Sequence, residues 1–128
     1  MPPKMESEAL TALEFLEGLT AELEGTVELY APNPILRMSL NLIRSHHNGR
    51  TVTPTSLIGA SGVPYATATR RLRDMMDAGM IETRPRTASG KSHSLHPSES
   101  MLEMWTRLSG RVRRLSVQSF GSAEAAED

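Results

Sequence analysis

The chain contains no cysteine, which excludes disulfides, thiolate metal sites and any thiol nucleophile or redox sensor. Aromatic residues are nearly as scarce: two tyrosines, two phenylalanines and one tryptophan, Trp105, among 128 residues. The core must therefore be mostly aliphatic, with eight methionines helping to fill it. Long apolar runs are missing too, and none approaches the roughly 18 residues that a membrane span needs. The opening "MPPKMESEAL" has no signal-peptide stretch, so a cytoplasmic protein without a membrane partner is expected. No glycine-rich strand-to-helix phosphate loop occurs, and no Ser or Thr has a visible base and orienting partner. His46-His47 and His93/His96 lack a cysteine or a nearby acidic pair, and neighbouring positions on a helix or strand point apart. Neither catalysis, nor a metal, nor a cofactor is expected.

Net charge is small, −1 at neutral pH, but it is segregated. Residues 1–30 hold seven acids against the single base Lys4, residues 31–114 hold thirteen Lys and Arg against five acids, and the last fourteen residues add three acids. A basic middle between acidic ends points to a polyanionic partner for the middle, despite the near-neutral total.

The hydrophobic spacing divides the chain further. Leu10, Leu13, Leu16, Leu19 and Leu23 recur at intervals of three and four, which predicts a helix over 6–24 with Gly25 as its stop. So narrow a stripe suits either a core helix or a seam with other helices. Asn33-Pro34 opens a second helix, the most buried one, which ends near Asn48-Gly49. Thr53-Pro54 repeats the signal for a short helix over 54–61 with Leu57 and Ile58 inward, and Gly62 breaks it. Pro64 opens another helix, 64–78, closed by Gly79. "MIETRPR" and "KSHSLHP", joined by "TASG", read as a β-hairpin. Pro97 is expected to start a last helix, in which Met101, Trp105, Leu108, Val112 and Leu115 make a heptad-like seam. The stretch "GSAEAAED" has nothing to bury and reads as a disordered tail or linker.

On the helix 64–78, Ala68, Leu72 and Met75 share one face, with Ala66, Arg70, Arg73 and Asp77 opposite. The outward face therefore opens with Tyr65, Ala66, Thr67 and Thr69 and then turns basic. Small residues let a helix approach a groove floor, Tyr and Thr can hydrogen-bond base edges or phosphates, and Arg can grip guanine or neutralise phosphate. The hairpin adds Arg84, Arg86 and Lys91, with no acid between Glu82 and Glu99.

The run "TPTSLIGASGVPYATATRRLRDMMDAGMIETRPRTASGKSHSLHP" resembles the winged helix-turn-helix of bacterial transcription regulators, most closely the MarR (multiple antibiotic resistance regulator) type. The turn "ASGV", the run "T-A-T-R-x-L", "D-A-G-M-I-E" and the Leu-x-Pro exit into a long helix carry the likeness. Two departures are Gly59 inside the short helix and "RPRTASGKSH" where that family commonly has an Asp-x-Arg run. The resemblance implies a mainly α fold with a small β-hairpin wing: a winged helix-turn-helix at 31–97 between dimerisation helices at 1–30 and 98–119, then a tail at 120–128. It implies a homodimer on a pseudo-palindromic double-stranded DNA operator, with 64–78 in the major groove and 83–93 on the backbone or minor groove. DNA contacts would then come from Tyr65, Ala66, Thr67, Thr69, Arg70, Arg73, Arg84, Arg86 and Lys91. Dimer contacts would come from Leu13, Leu16, Leu19, Leu23, Trp105, Leu108, Val112 and Leu115. A small-molecule effector between the two regions would suit that family, with Trp105 and the methionines as its lining, although core packing explains them equally well. Two other readings stay open: a winged-helix module that binds an acidic protein, and the DNA-binding part of a larger sensor protein.

Overall fold

The computed structural model describes residues 7–26, 32–86, 88–90 and 92–121. Its element order is α1 (Ser7–Thr26), α2 (Pro34–Asn48), α3 (Pro54–Ala60), α4 (Tyr65–Asp77), β1 (Ile81–Pro85), β2 (His93–Pro97) and α5 (Glu99–Ser116), which runs into a π-helical turn over Val117–Gly121. The fold is thus mainly α with one small antiparallel hairpin.

Local chemistry sets most boundaries. Asn33 caps α2 by accepting a hydrogen bond from Leu36 N at 3.1 Å, with Pro34 in the first turn, and Gly49 ends the helix in the left-handed region. Thr53 and Ser56 form a reciprocal capping box at the start of α3. The last helix begins two residues later than expected. Pro97 is the final residue of β2, paired with Ile81, and the cap is Ser98, whose Oγ accepts from Met101 N at 3.1 Å and donates to Gly79 O at 2.6 Å. A proline can close a strand because its missing N–H is not needed there.

The core is one aliphatic cluster. Met38, Leu42 and Ile43 of α2 form its middle, Leu57, Leu72 and Met75 lie on one flank, and Leu13, Met101 and Trp105 lie on the other. Ile81 and Leu95 seal it from the hairpin. Leu95 N also donates to Val52 O at 2.8 Å, so a residue between α2 and α3 adds a third, one-residue strand beside β2.

α1 is turned differently from its leucine stripe. Its most buried residues are Ala9, Ala12 and Leu13, with Leu10 and Leu16 at the edge of the core and Leu19 45% exposed. α5 packs closely on α1: a Cβ added at Gly110 would stand 3.4 Å from Glu8 Oε1. The acids of α1 pair inside the chain. Glu17 holds Arg44 through two contacts at 2.6 and 3.2 Å, Glu24 meets Arg37 at 3.3 Å and Glu8 meets Arg113 at 3.5 Å. Two of the three pairs therefore join α1 to α2 rather than to the basic α5.

Candidate nucleic-acid interface

α3 and α4 are joined by a tight turn that admits little variation. Ser61 is fully buried, and its Oγ donates to Ile58 O at 2.6 Å. Gly62 follows with φ +75°, a conformation that side chains rarely adopt, and a Cβ there would also run into the Arg37 guanidinium. Arg37 is in turn held by Glu24, so α1, α2 and the turn meet at one point.

The turn presents α4 with Ala68, Leu72 and Met75 inward and Tyr65, Ala66, Thr67, Arg70, Arg73 and Asp77 outward. Tyr65 is 72% exposed at the helix start. Arg71 lies at the edge and pairs with Asp74 at 3.0 Å. Among the described residues no carboxylate reaches the guanidinium of Arg70 or Arg73, so both charges stand open to solvent. Thr69 departs from the outward set: it is half-buried, and its Oγ1 is enclosed without a hydrogen-bond partner among the described residues. One residue's rotation, about 100°, separates it from Ala68 at the centre of the buried face.

On the hairpin, Arg84 is exposed and its Nη2 lies 3.0 Å from Glu82 Oε2 on the same strand face. Arg86 follows β1, exposed, while its backbone N donates to Ser92 O at 2.7 Å and closes the ribbon towards its tip. Lys91 lies outside the described residues, as do residues 122–128 of the expected tail.

The residues expected at a dimer seam are divided by the fold. Leu13 and Trp105 belong to the core of the single chain. Leu16, Leu23, Leu108 and Val112 are half-buried, and Leu19 and Leu115 face solvent, Leu115 at 65% exposure. Phe15, Val117 and Phe120 join these two as exposed large apolar side chains. The Phe15 and Leu19 spacing of four was the available signal for such a patch on α1. Val117 and Phe120 carried no comparable signal, because their presentation depends on the π-helical turn.

A second polar cluster lay outside the sequence-based expectations. His46 of α2 and His96 of β2 both lie near Arg84, and Ser94 Oγ sits 2.7 Å from His96 Nε2. Burial first, and then the neighbouring Arg84 charge, lower the proton affinity of both imidazoles below the ordinary value of 6.5.

Among the described residues no three His, Asp or Glu side chains converge as a metal site, and no helix is long and apolar enough to cross a membrane. No family model, curated protein or solved structure matches the chain.

Proposed function

We propose that the protein is a winged helix-turn-helix regulator of the MarR-like kind, binding specific double-stranded DNA as a homodimer. α3 and α4 would be the helix-turn-helix, α4 would enter the major groove, and the β1–β2 hairpin would be the wing along the backbone. The observation that carries the reading is the outward face of α4. It joins a polar aromatic, two small residues and two unpaired arginines on one rigid helix whose other face is anchored in the core. Such a face has no internal partner among the described residues, and its chemistry suits base edges and phosphates better than an apolar protein surface. The exposed apolar residues of α1 and of the end of α5 support self-association through the terminal helices.

Fluorescence anisotropy with a labelled random 30-mer duplex, titrated at low and at physiological salt, tests the proposal. Micromolar or tighter binding that fades steeply with salt is the expected result, because phosphate contacts release counterions. No binding at low salt would overturn it and leave the basic face to an acidic protein partner.

A further inference from the structure

Three hydroxyls in the chain follow at least two arginines within five residues: those of Thr87, Ser89 and Ser116. Thr87 lies outside the described residues. Ser116 comes after Arg111, Arg113 and Arg114, but it is half-buried as the last residue of α5 and lines a groove with Phe15, Val112 and Val117. Presenting it to another protein means unwinding the end of a helix that packs on α1.

Ser89 is placed differently. It is exposed in the turn between β1 and β2, flanked by Ala88 and by Gly90, which turns the chain with φ +71°. A methyl group and a hydrogen are thus its neighbouring side chains, and neither is bulky enough to screen the hydroxyl. Arg84 and Arg86 precede it, both exposed. The bond from Arg86 N to Ser92 O continues the ladder past Pro85, so the two guanidinium groups leave the same face of the ribbon. Arg86 has no ion-pair partner among the described residues, and Arg84 is held only by Glu82 in an exposed contact. Two arginines at fixed distances before an exposed hydroxyl form a pattern that the carboxylates of an acidic groove can grip.

We propose that Ser89 is a phosphorylation site, recognised by an arginine-directed serine kinase through Arg84 and Arg86. In the transfer, Ser89 Oγ attacks the γ-phosphorus of a nucleoside triphosphate. The new O–P bond forms as the bond from that phosphorus to the bridging oxygen breaks. The nucleoside diphosphate leaves with the electron pair, and the hydroxyl proton passes to a carboxylate of the kinase.

The product cancels the charge of the hairpin. Residues 81–97 hold Glu82 against Arg84, Arg86 and Lys91, a formal +2 with neutral histidines. Phosphoserine brings about −1.5 to −2 at neutral pH. This consequence rests on the reading of the hairpin as a DNA wing: phosphorylation releases the wing from the phosphate backbone.

The full folded chain is incubated with magnesium ATP and a serine kinase that requires arginine at the third position before its target. Intact mass and fragment mapping then locate the phosphate. The expected result is a single phosphate on Ser89, absent from Ser89→Ala and unaffected by Ser116→Ala. Arg86→Gln should slow incorporation at least about tenfold, the scale of one lost charge-assisted contact. Ser89 and Arg86 are both exposed, so the fold survives either change. No incorporation into the folded chain, or incorporation on Ser116 or Thr87 in place of Ser89, would overturn the site. The modified and unmodified chains are also compared on the 30-mer duplex. There the phosphate should weaken binding at low salt and lower the slope of log affinity against log salt by about two. Equal binding by the two forms would overturn the release of the wing. An unmodified chain that binds no duplex would sink the DNA reading alone, because the mapped phosphate stands without it.

Discussion

Gly62 shows most directly how a single residue governs this chain. Its φ of +75° and the overlying Arg37 guanidinium both refuse a side chain. Gly62→Ala should lower stability by about 1–3 kcal/mol in urea unfolding, from backbone strain and from displacing Arg37 off Glu24. Gly59→Ala is the control: that position lies in α3 with nothing within 4 Å of an added Cβ, and it should gain about 0.5–1 kcal/mol. His46 and His96 give the residue scale its pH dependence. Their native proton affinities are lowered below 6.5, chiefly by burial. The folded state therefore favours the neutral rings, and the associated stability is complete above about pH 6.5 and is lost as the pH falls through the lower native values. Urea midpoints measured from pH 8 to pH 5 should decline below 6.5, and the decline should be shallower in a His46→Gln, His96→Gln double variant. Gly62 was legible in the sequence because a break between two helices, one opened by Thr53-Pro54 and the next by Pro64, asks for glycine. The histidine cluster was not, because 50 residues separate two side chains that meet only where β2 packs against the end of α2.

Elements were readable where their ends are decided locally. Asn33-Pro34 and Thr53-Pro54 carry their caps within three residues, so both helix starts fall where expected. Pro97 misled because its ring suits a helix start and a strand end alike, and the choice was made by Ser98, which ties α5 to the α4–β1 turn through Gly79. Ser98→Ala should cost about 0.5–2 kcal/mol, a cap's usual range. Thermal unfolding should place the loss above that of Thr53→Ala, whose side chain has no bond beyond its own box. The buried face of α1 was hidden for a different reason. Five leucines outweigh two alanines in any hydrophobic pattern, yet Ala9 and Ala12 are buried with Leu13 while Leu19 is exposed. α4 lies between these cases: its inward triad was plain, while Thr69 sits nearer the core than an outward reading allows. If α4 reads bases, Arg70→Ala should cost about 1–3 kcal/mol on the preferred sequence and much less on random duplex. Equal losses in competition anisotropy would leave Arg70 a phosphate contact only.

At the scale of the whole molecule, the acidic and basic segments neutralise each other only in part. Glu8, Glu17 and Glu24 are consumed by Arg113, Arg44 and Arg37, which leaves Arg70 and Arg73 of α4 and Arg107, Arg111 and Arg114 of α5 without ion-pair partners among the described residues. Phe15 and Leu19 of α1 and Leu115, Val117 and Phe120 at the end of α5 are exposed, and they are the basis for expecting a dimer. Analytical ultracentrifugation at tens of micromolar should find one, and Leu115→Glu should convert it to a monomer with unchanged helicity. A monomeric parent chain would remove that expectation. The hairpin's attachment has a mechanical side as well. β2 is bonded to β1 on one edge and to Val52 on the other, and Ser98 N is bonded to Met80 O just beyond its end. A load applied at the ribbon's tip thus meets a root clamped on both sides, and it passes as torque into the α2–α3 connection instead of swinging the ribbon on a free hinge. The lever is short and stiff, and what is felt at Arg86 is felt at Val52.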